Sequence, residues 1–100
     1  MEEYENLFKL ENKVAVVTGA LGQLGTELTK TTGIYGAETI ITDLDEEECK
    51  ERAKRFNEKY CQRFHGISCD VTNPSSIESL RGEILKRFGE LEVLVNCAGI

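Results

Sequence analysis

Residues 14–26 of the chain are Val-Ala-Val-Val-Thr-Gly-Ala-Leu-Gly-Gln-Leu-Gly-Thr. The β-branched run at the start predicts a buried strand, and the apolar spacing after it predicts a helix with Leu24 and Leu28 on one face. Glycines between a strand and a helix are typical of a turn that holds a dinucleotide pyrophosphate, because free N–H groups and the positive dipole end face the phosphates. The predicted site comprises Gly19, Ala20, Leu21, Gly22, Gln23, Leu24 and Gly25.

Each glycine of this segment has a predicted task. Gly19 permits a tight turn, Gly22 allows the backbone to approach phosphate without a Cβ, and Gly25 allows close packing of helix on strand. A purely structural use remains the alternative, since any strand-to-helix turn can contain glycine.

Asp43 follows the second β-branched run and lies 18 residues after Gly25. This is close to the offset of the acid that accepts hydrogen bonds from the adenosine ribose. A carboxylate there would repel the 2′-phosphate of NADP, and no arginine or lysine is adjacent, so NAD is favoured over NADP. The alternative is a solvated acid at the start of the next helix.

Composition narrows the class of protein. The 100 residues are 40% apolar and 30% charged with a net charge of −6, which is typical of a globular domain. The absence of a basic stripe argues against nucleic acid or an anionic membrane as partner. An acidic N-terminus and no long apolar run predict a cytoplasmic protein.

The four cysteines and the single histidine are not clustered in the sequence. The four cysteines form no Cys-x-x-Cys pair, so reduced structural thiols are expected and no metal site. His65 lies alone in a predicted strand and is interpreted as structural.

The pattern alternates strands and helices along the whole chain. A β-α-β-α-β-α-β order predicts an α/β fold, a Rossmann-like doubly wound parallel sheet with strand order 3-2-1-4. Residues 1–100 are expected to form one incomplete NAD(P)-binding domain with a polar lead-in over 1–12. The predicted strands are 13–18, 38–42, 64–69 and 91–95, and the predicted helices are about 23–32, 45–59 and 73–88. Gly33 is expected to end the first helix. Asn73 or Ser75 is expected to cap the third, with Pro74 at an early helical position.

Three blocks together resemble the N-terminal half of the short-chain dehydrogenase/reductase family. They are Thr18-Gly-Ala-Leu-Gly-Gln-Leu-Gly25, Cys69-Asp70-Val71-Thr72 and Leu94-Val-Asn-Cys-Ala-Gly-Ile100. The resemblance implies that Asp70 accepts a hydrogen bond from the adenine amino group, with Val71 beside the ring. It also implies that Asn96 braces the central sheet, and that Cys97, Ala98 and Gly99 run along the cofactor ribose.

Two departures from the family pattern stand out. The middle glycine is Gly22, whereas the branch with Asn-Asn-Ala-Gly usually has it one position later, where this chain has Gln23. The observed spacing is more similar to the extended branch of nucleotide-sugar epimerases and dehydratases, but the Asn96-Cys-Ala-Gly99 block argues against that branch. Cys97 replaces the second Asn and is not expected to be a nucleophile, since no neighbour that would lower its pKa is identifiable.

The family's catalytic residues are not expected among these 100. Members of that family use a Tyr, a Lys four residues later and a Ser, all of which lie beyond the Asn-x-Ala-Gly block. In this chain, none of the tyrosines, Tyr4, Tyr35 and Tyr60, has a Lys four residues later. The chain is therefore interpreted as the N-terminal, cofactor-binding part of an NAD-dependent oxidoreductase that transfers hydride between nicotinamide and an alcohol or carbonyl substrate. It would be a fragment or a truncated product, inactive by itself. The alternatives are a non-catalytic dinucleotide-binding module or an extended-branch enzyme.

The resemblance also bears on the complete protein. It implies a homo-oligomer that pairs through later helices. The strand at 91–95 is apolar enough for burial on both faces, yet the predicted order puts it at the sheet edge. Apolar surface is therefore expected beside it, because the helix at 73–88 covers one sheet face alone.

Overall fold

Strands and helices alternate strictly in the computed structural model, which describes residues 10–97. The predicted order is confirmed, and most boundaries agree within two residues. The elements are β1 (Val14–Thr18), α1 (Gln23–Ile34), β2 (Glu38–Thr42), α2 (Glu46–Lys59), β3 (Phe64–Gly66), α3 (Pro74–Phe88) and β4 (Val93–Asn96).

The four strands form one parallel sheet in the order β3-β2-β1-β4, as the sequence predicts. Val16 of β1 lies opposite Ile40 of β2 on one side and Leu94 of β4 on the other. All five residues of β1 are buried. Because β1 is central, the turn that follows it is supported by a strand on each side.

Helices cover both faces of the sheet, which makes the fold doubly wound. Val17 and Ile41 face a core shared with Cys49, Ala53 and Phe56 of α2. Val16 and Ile40 face the opposite core, which contains Leu80 and Ile84 of α3. The alternation of side chains along each strand therefore divides the apolar residues between two layers.

Helix α1 packs mainly through small residues, and of the predicted leucine pair only Leu28 packs against the core. Its buried positions are Gly25, Thr29, Thr32 and Gly33, whereas Leu24 is exposed. Gly33 was expected to end the helix, but it lies inside it, where an added Cβ would overlap the Phe64 ring. The prediction was wrong because the glycine serves a close approach between elements rather than a helix stop.

Strand β3 ends at Gly66, earlier than predicted. An added Cβ at Gly66 would lie 2.5 Å from the Cys49 carbonyl carbon, so the strand end presses directly on α2. Beyond it the chain still follows β2, since the Ile67 N–H donates to the Ile41 carbonyl at 3.1 Å and the Cys69 N–H donates to the Asp43 carbonyl at 2.9 Å. This extended segment carries Cys69 and the residues after it to the end of the sheet.

The later helices are capped as their sequences suggest. Asp45 caps α2 by accepting from the Glu48 N–H, so the helix begins one residue later than predicted. Asn73 is the cap of α3 and Pro74 its first helical residue, which resolves the choice between Asn73 and Ser75. Gly89 ends α3 with a φ of 86°, a conformation that favours glycine.

Strand β4 runs along an edge of the sheet, and it starts and ends later than predicted. Leu94 is 64% exposed, so β4 is not buried on both faces although its sequence is apolar. Leu91 and Ile77 are also exposed, and the expected apolar surface beside β4 is therefore present. Within residues 10–97, no helix combines the length and apolarity needed to cross a membrane.

Candidate functional site

A cleft of about 360 Å³ opens at the carboxyl ends of β1 and β2 and beside the segment after β3. In open parallel sheets, ligands bind at this edge, where helices lie on alternate faces. The cleft is lined by Gly19, Gly22, Gln23, Leu24, Gly25, Thr42, Asp43, Leu44, Cys69, Asp70, Val71, Thr72 and Cys97.

Most residues predicted for the site come together in this cleft. They derive from four separate segments of the chain, which the parallel sheet brings to one edge. Ala20 and Leu21 instead pack against the core cluster beneath the turn, and Asn96 lines a different cavity. Ala98 and Gly99 lie outside the described residues.

The glycine turn is compact and held by its own backbone. Gly19 has a φ of 64°, and the Gly22 N–H donates to the Gly19 carbonyl at 3.2 Å. An added Cβ at Gly25 would overlap the same carbonyl, so the start of α1 lies directly against the turn. The fold alone therefore explains why positions 19 and 25 are glycine.

Gly22 requires a different explanation. Its φ of −72° and ψ of 172° are open to any residue, and an added Cβ would meet only the Gly19 carbonyl oxygen, at 3.4 Å. The protein itself therefore has room for a side chain here. Because Gly22 lines the cleft, the space that a Cβ would occupy is available to a ligand instead.

The N-terminus of α1 differs from those of the other two described helices. Asp45 and Asn73 cap α2 and α3 with side-chain oxygens, whereas Gly22 has no side chain with which to cap α1. The first turn of α1 also has no acidic residue, in contrast to α2. Its leading N–H groups and the positive end of the helix dipole are therefore suited to an anion from outside the chain.

Asp43 occupies the end of β2 and reaches across to the glycine turn. Its Oδ2 accepts from the Leu21 N–H at 3.0 Å, and its Oδ1 accepts from the Leu44 N–H at 2.8 Å. A carboxylate offers about four lone-pair positions. Each oxygen therefore retains a position for one hydroxyl donor in the cleft.

Asp70 and Val71 lie on the far wall of the cleft. Thr72 donates to Asp70 Oδ1 through its hydroxyl at 2.6 Å and its N–H at 3.0 Å, and the pKa of Asp70 is below its usual value chiefly because of the hydroxyl bond. Both bonds use one oxygen of the carboxylate. The Ser76 hydroxyl accepts from the Asp70 N–H at 2.9 Å and so fixes this turn to α3.

Asn96 contacts the sheet rather than the cleft. Its Oδ1 accepts from the Thr18 hydroxyl at 2.9 Å, which joins the ends of β4 and β1. This contact matches the bracing function implied by the resemblance. Cys97 has the opposite orientation: it is buried against the core cluster of β1 and α2 and lines the cleft.

Four residues that line the cleft were not predicted from the sequence: Thr42, Leu44, Cys69 and Thr72. Leu44 is the most informative, because it is 71% exposed between two aspartates. An apolar side chain between acids in a strand-to-helix turn was a usable sequence signal. The other three required the paths of β2 and of the segment after β3.

Comparison with known proteins gives a consistent assignment. The family model described as short chain dehydrogenase matches residues 13–100. An NADP-dependent mannitol dehydrogenase of Alternaria alternata is 36% identical over 100 residues, and the alignment covers 97% of this chain and 38% of that protein. A 3-oxoacyl-[acyl-carrier-protein] reductase of Salmonella typhimurium is 38% identical over 90 residues, with coverage of 90% and 35%.

The fold comparison agrees with these relatives. The menthone neomenthol reductase from Mentha piperita has a TM-score of 0.81 and 32% identity, and the match covers 88% of this chain and 32% of that chain. This chain thus spans less than two fifths of the length of each relative named here. With a family model that matches 13–100 and the 3-2-1-4 parallel sheet, this chain belongs to the short-chain dehydrogenase family.

Proposed function

We propose that this chain is the dinucleotide-binding part of an NAD-dependent oxidoreductase. The observation that carries the proposal is Gly22, a cleft-lining glycine that the fold itself does not need. The uncapped start of α1 supplies the complementary chemistry, since its N–H groups and dipole favour a pyrophosphate.

The geometry of the cleft supports an order for the parts of the cofactor. The pyrophosphate would lie at Gly22 and the first turn of α1, and the adenosine ribose would lie at Asp43. The adenine amino group would donate to the free oxygen of Asp70, with Val71 and the exposed Leu44 against the ring. Cys97, followed in sequence by Ala98 and Gly99, would continue the site towards the nicotinamide half.

NAD is the form of the cofactor that Asp43 supports. Its two oxygens can accept from the 2′- and 3′-hydroxyls of the ribose, whereas a 2′-phosphate would meet a negative charge at the same place. The mannitol dehydrogenase named above is NADP-dependent by its name, so the family relationship alone does not choose between the two. The preference for NAD rests on Asp43.

The activity belongs to the complete protein. There the nicotinamide would supply hydride transfer to or from an alcohol or carbonyl substrate, and this chain's residues would hold and orient the cofactor. A homo-oligomer and a cytoplasmic location are part of the same proposal. The location is supported by four unpaired cysteines, because reduced thiols are typical of that compartment.

Calorimetric titration of the 100-residue chain tests the binding proposal. We expect NAD and ADP-ribose to bind and NADP to bind at least about tenfold more weakly, since one unfavourable charge contact costs on the order of 1.4 kcal/mol or more. Gly22→Ala should fold normally and lose NAD binding. Gly82→Ala adds the same methyl group on α3, away from the cleft, and should bind NAD as the wild type does.

Two results would contradict the proposal. Failure of the wild-type chain to bind either NAD or NADP would overturn dinucleotide binding. Normal NAD affinity in Gly22→Ala would show that phosphate does not approach this glycine. For hydride transfer, a complete protein without a Tyr-xxx-Lys pair after the Asn-x-Ala-Gly block would leave only a binding module.

A further inference from the structure

A hydrogen-bonded relay connects α2 to the glycine turn. Arg52 of α2 donates from Nη1 to the Thr26 hydroxyl of α1 at 2.7 Å. The Thr26 hydroxyl in turn donates to the Ala20 carbonyl at 3.2 Å. A charged side chain on a neighbouring helix is thus two hydrogen bonds from the backbone of the turn.

Thr26 is attached to the turn at two points. Besides the hydroxyl bond to Ala20, its N–H donates to the Gly22 carbonyl at 2.8 Å, the first hydrogen bond of α1. Ala20 and Gly22 lie on either side of Leu21, whose N–H is held by Asp43. The position of Thr26 therefore helps to set the geometry of the backbone that precedes the first turn of α1.

The two ends of the relay fix its direction, since the Ala20 carbonyl can only accept and Arg52 can only donate. A guanidinium has donors only, so the Thr26 oxygen must accept from it and present its own hydrogen to the Ala20 carbonyl. Without that donor, a threonine hydroxyl in a helix tends to bond to the carbonyl four residues earlier, which here belongs to Gly22. Such a change would detach the hydroxyl from Ala20.

The guanidinium is held in place by its own surroundings. Its central carbon lies 5.8 Å from the centre of the Phe56 ring, one turn further along α2, and Phe56 is part of the buried core. Arg52 is itself half-buried, so its bond to Thr26 is less screened by solvent than a surface pair. The α2 end of the relay is therefore held by a contact with a residue of the buried core.

We propose that Arg52 is a positioning residue for the dinucleotide, acting through Thr26 on the turn that faces the pyrophosphate. The inference rests on the proposed dinucleotide-binding function. Arg52 does not line the cleft. Its effect is to keep the turn and the first N–H groups of α1 in the arrangement that an anion meets.

The affinity of variants for ligands with and without phosphate tests this inference. Arg52→Met keeps the aliphatic stem and removes the donor, and we expect ADP-ribose to bind about fivefold more weakly, as for one charge-assisted hydrogen bond partly lost. Adenosine, which has no phosphate, should change by less than about twofold. Arg55→Met removes the same charge from an exposed position on the same helix and should leave both affinities unchanged.

Two further variants separate the relay from a simple charge effect. Thr26→Val removes the central hydroxyl, and adding Arg52→Met to it should cause little further loss, because both act through one connection. Arg52→Lys restores a donor and should return the ADP-ribose affinity to within about twofold of the wild type. Fully additive losses in the double variant would overturn the relay.

Hydrogen exchange of the ligand-free chain gives a second readout. In Arg52→Met, the backbone amides of 22–26 should exchange faster than in the wild type, by a larger factor than the amides of β1. Equal ADP-ribose affinity and equal exchange rates in wild type and Arg52→Met would overturn this inference alone. If the wild-type chain binds no ADP-ribose, the proposed function fails, and the two failures are therefore distinguishable.

Discussion

The carboxylate of Asp43 and the backbone N–H of Leu21 are joined by a 3.0 Å hydrogen bond across the mouth of the cleft. The bond links the end of β2 to the middle of the glycine turn. The residue that we propose for the ribose thus also holds the turn that faces the pyrophosphate. Two parts of the candidate site are coupled before any ligand enters it.

The first prediction concerns this coupling. Asp43→Asn keeps one oxygen, which can still accept from Leu21, but it loses the negative charge and the second acceptor. We expect the NAD dissociation constant to rise about tenfold or more, from the loss of a charge-assisted bond. The NADP dissociation constant should fall, because the charge that opposes the 2′-phosphate is removed. Calorimetry with both cofactors measures how far the preference for NAD over NADP decreases.

A neighbouring acid provides the control. Asp45→Asn removes the same charge two residues away and keeps an equally good cap on α2. It should leave both dissociation constants nearly unchanged. If Asp45→Asn weakens NAD as much as Asp43→Asn does, the effect is general electrostatics and the assignment of Asp43 is wrong.

The second prediction uses two glycines within helices. Gly33→Ala would force its methyl group into the buried Phe64 ring and should lower the free energy of unfolding by roughly 1–3 kcal/mol. Gly82→Ala has nothing within 4 Å of the new Cβ and should raise it by roughly 0.5–1 kcal/mol. Urea denaturation measures both, and effects of the same sign would contradict the packing described for α1.

The third prediction is a pH dependence of stability that comes from His65. Burial lowers the pKa of His65 below its ordinary value of 6.5, outweighing the attraction of Glu38, whose Oε1 lies 3.5 Å from Nε2. The Phe88 ring of α3 packs edge-on against the imidazole, with 4.9 Å between ring centres, and the charge of Arg87 lowers the pKa of His65 further. The folded state therefore binds a proton less readily than the unfolded state.

The sign follows from proton linkage. The contribution of His65 to the free energy of unfolding is fully present above pH 6.5. It is lost as the pH falls through the lower pKa that His65 has in the folded state. The pKa values of Asp70 and Glu92 are also lowered, so these carboxylates titrate at more acidic pH. Unfolding free energies between pH 7 and pH 5 should fall more steeply for wild type than for His65→Gln, and parallel slopes would refute this.

The fourth prediction orders the reactivity of two thiols. Burial raises the pKa of Cys49 to about 11, and its side chain is fully buried, whereas Cys61 is only partly buried. Because the thiolate is the reactive form, iodoacetamide at pH 8 should alkylate Cys61 well before Cys49 in the folded chain. Mass spectrometry of timed samples gives the order, and equal rates in the folded state would contradict it.

The sequence by itself determined the fold class and the location of the cleft. The β-branched runs and the apolar stripes repeat with the periods of strands and helices, and right-handed crossovers then allow few parallel topologies. The glycine turn and Asp43 were also predictable, because a strand end followed by a turn is a local feature. Their place at one sheet edge follows from the parallel order.

Only the tertiary structure decided which residues of neighbouring elements touch. The small buried face of α1, the use of Gly33 against Phe64 and the link from Arg52 to Thr26 have no local sequence signal. Residue spacing fixes the face of a helix, but its distance and rotation relative to the sheet depend on all the side chains packed between them. For that reason the cleft could be predicted from the sequence, and the contacts that hold its shape could not.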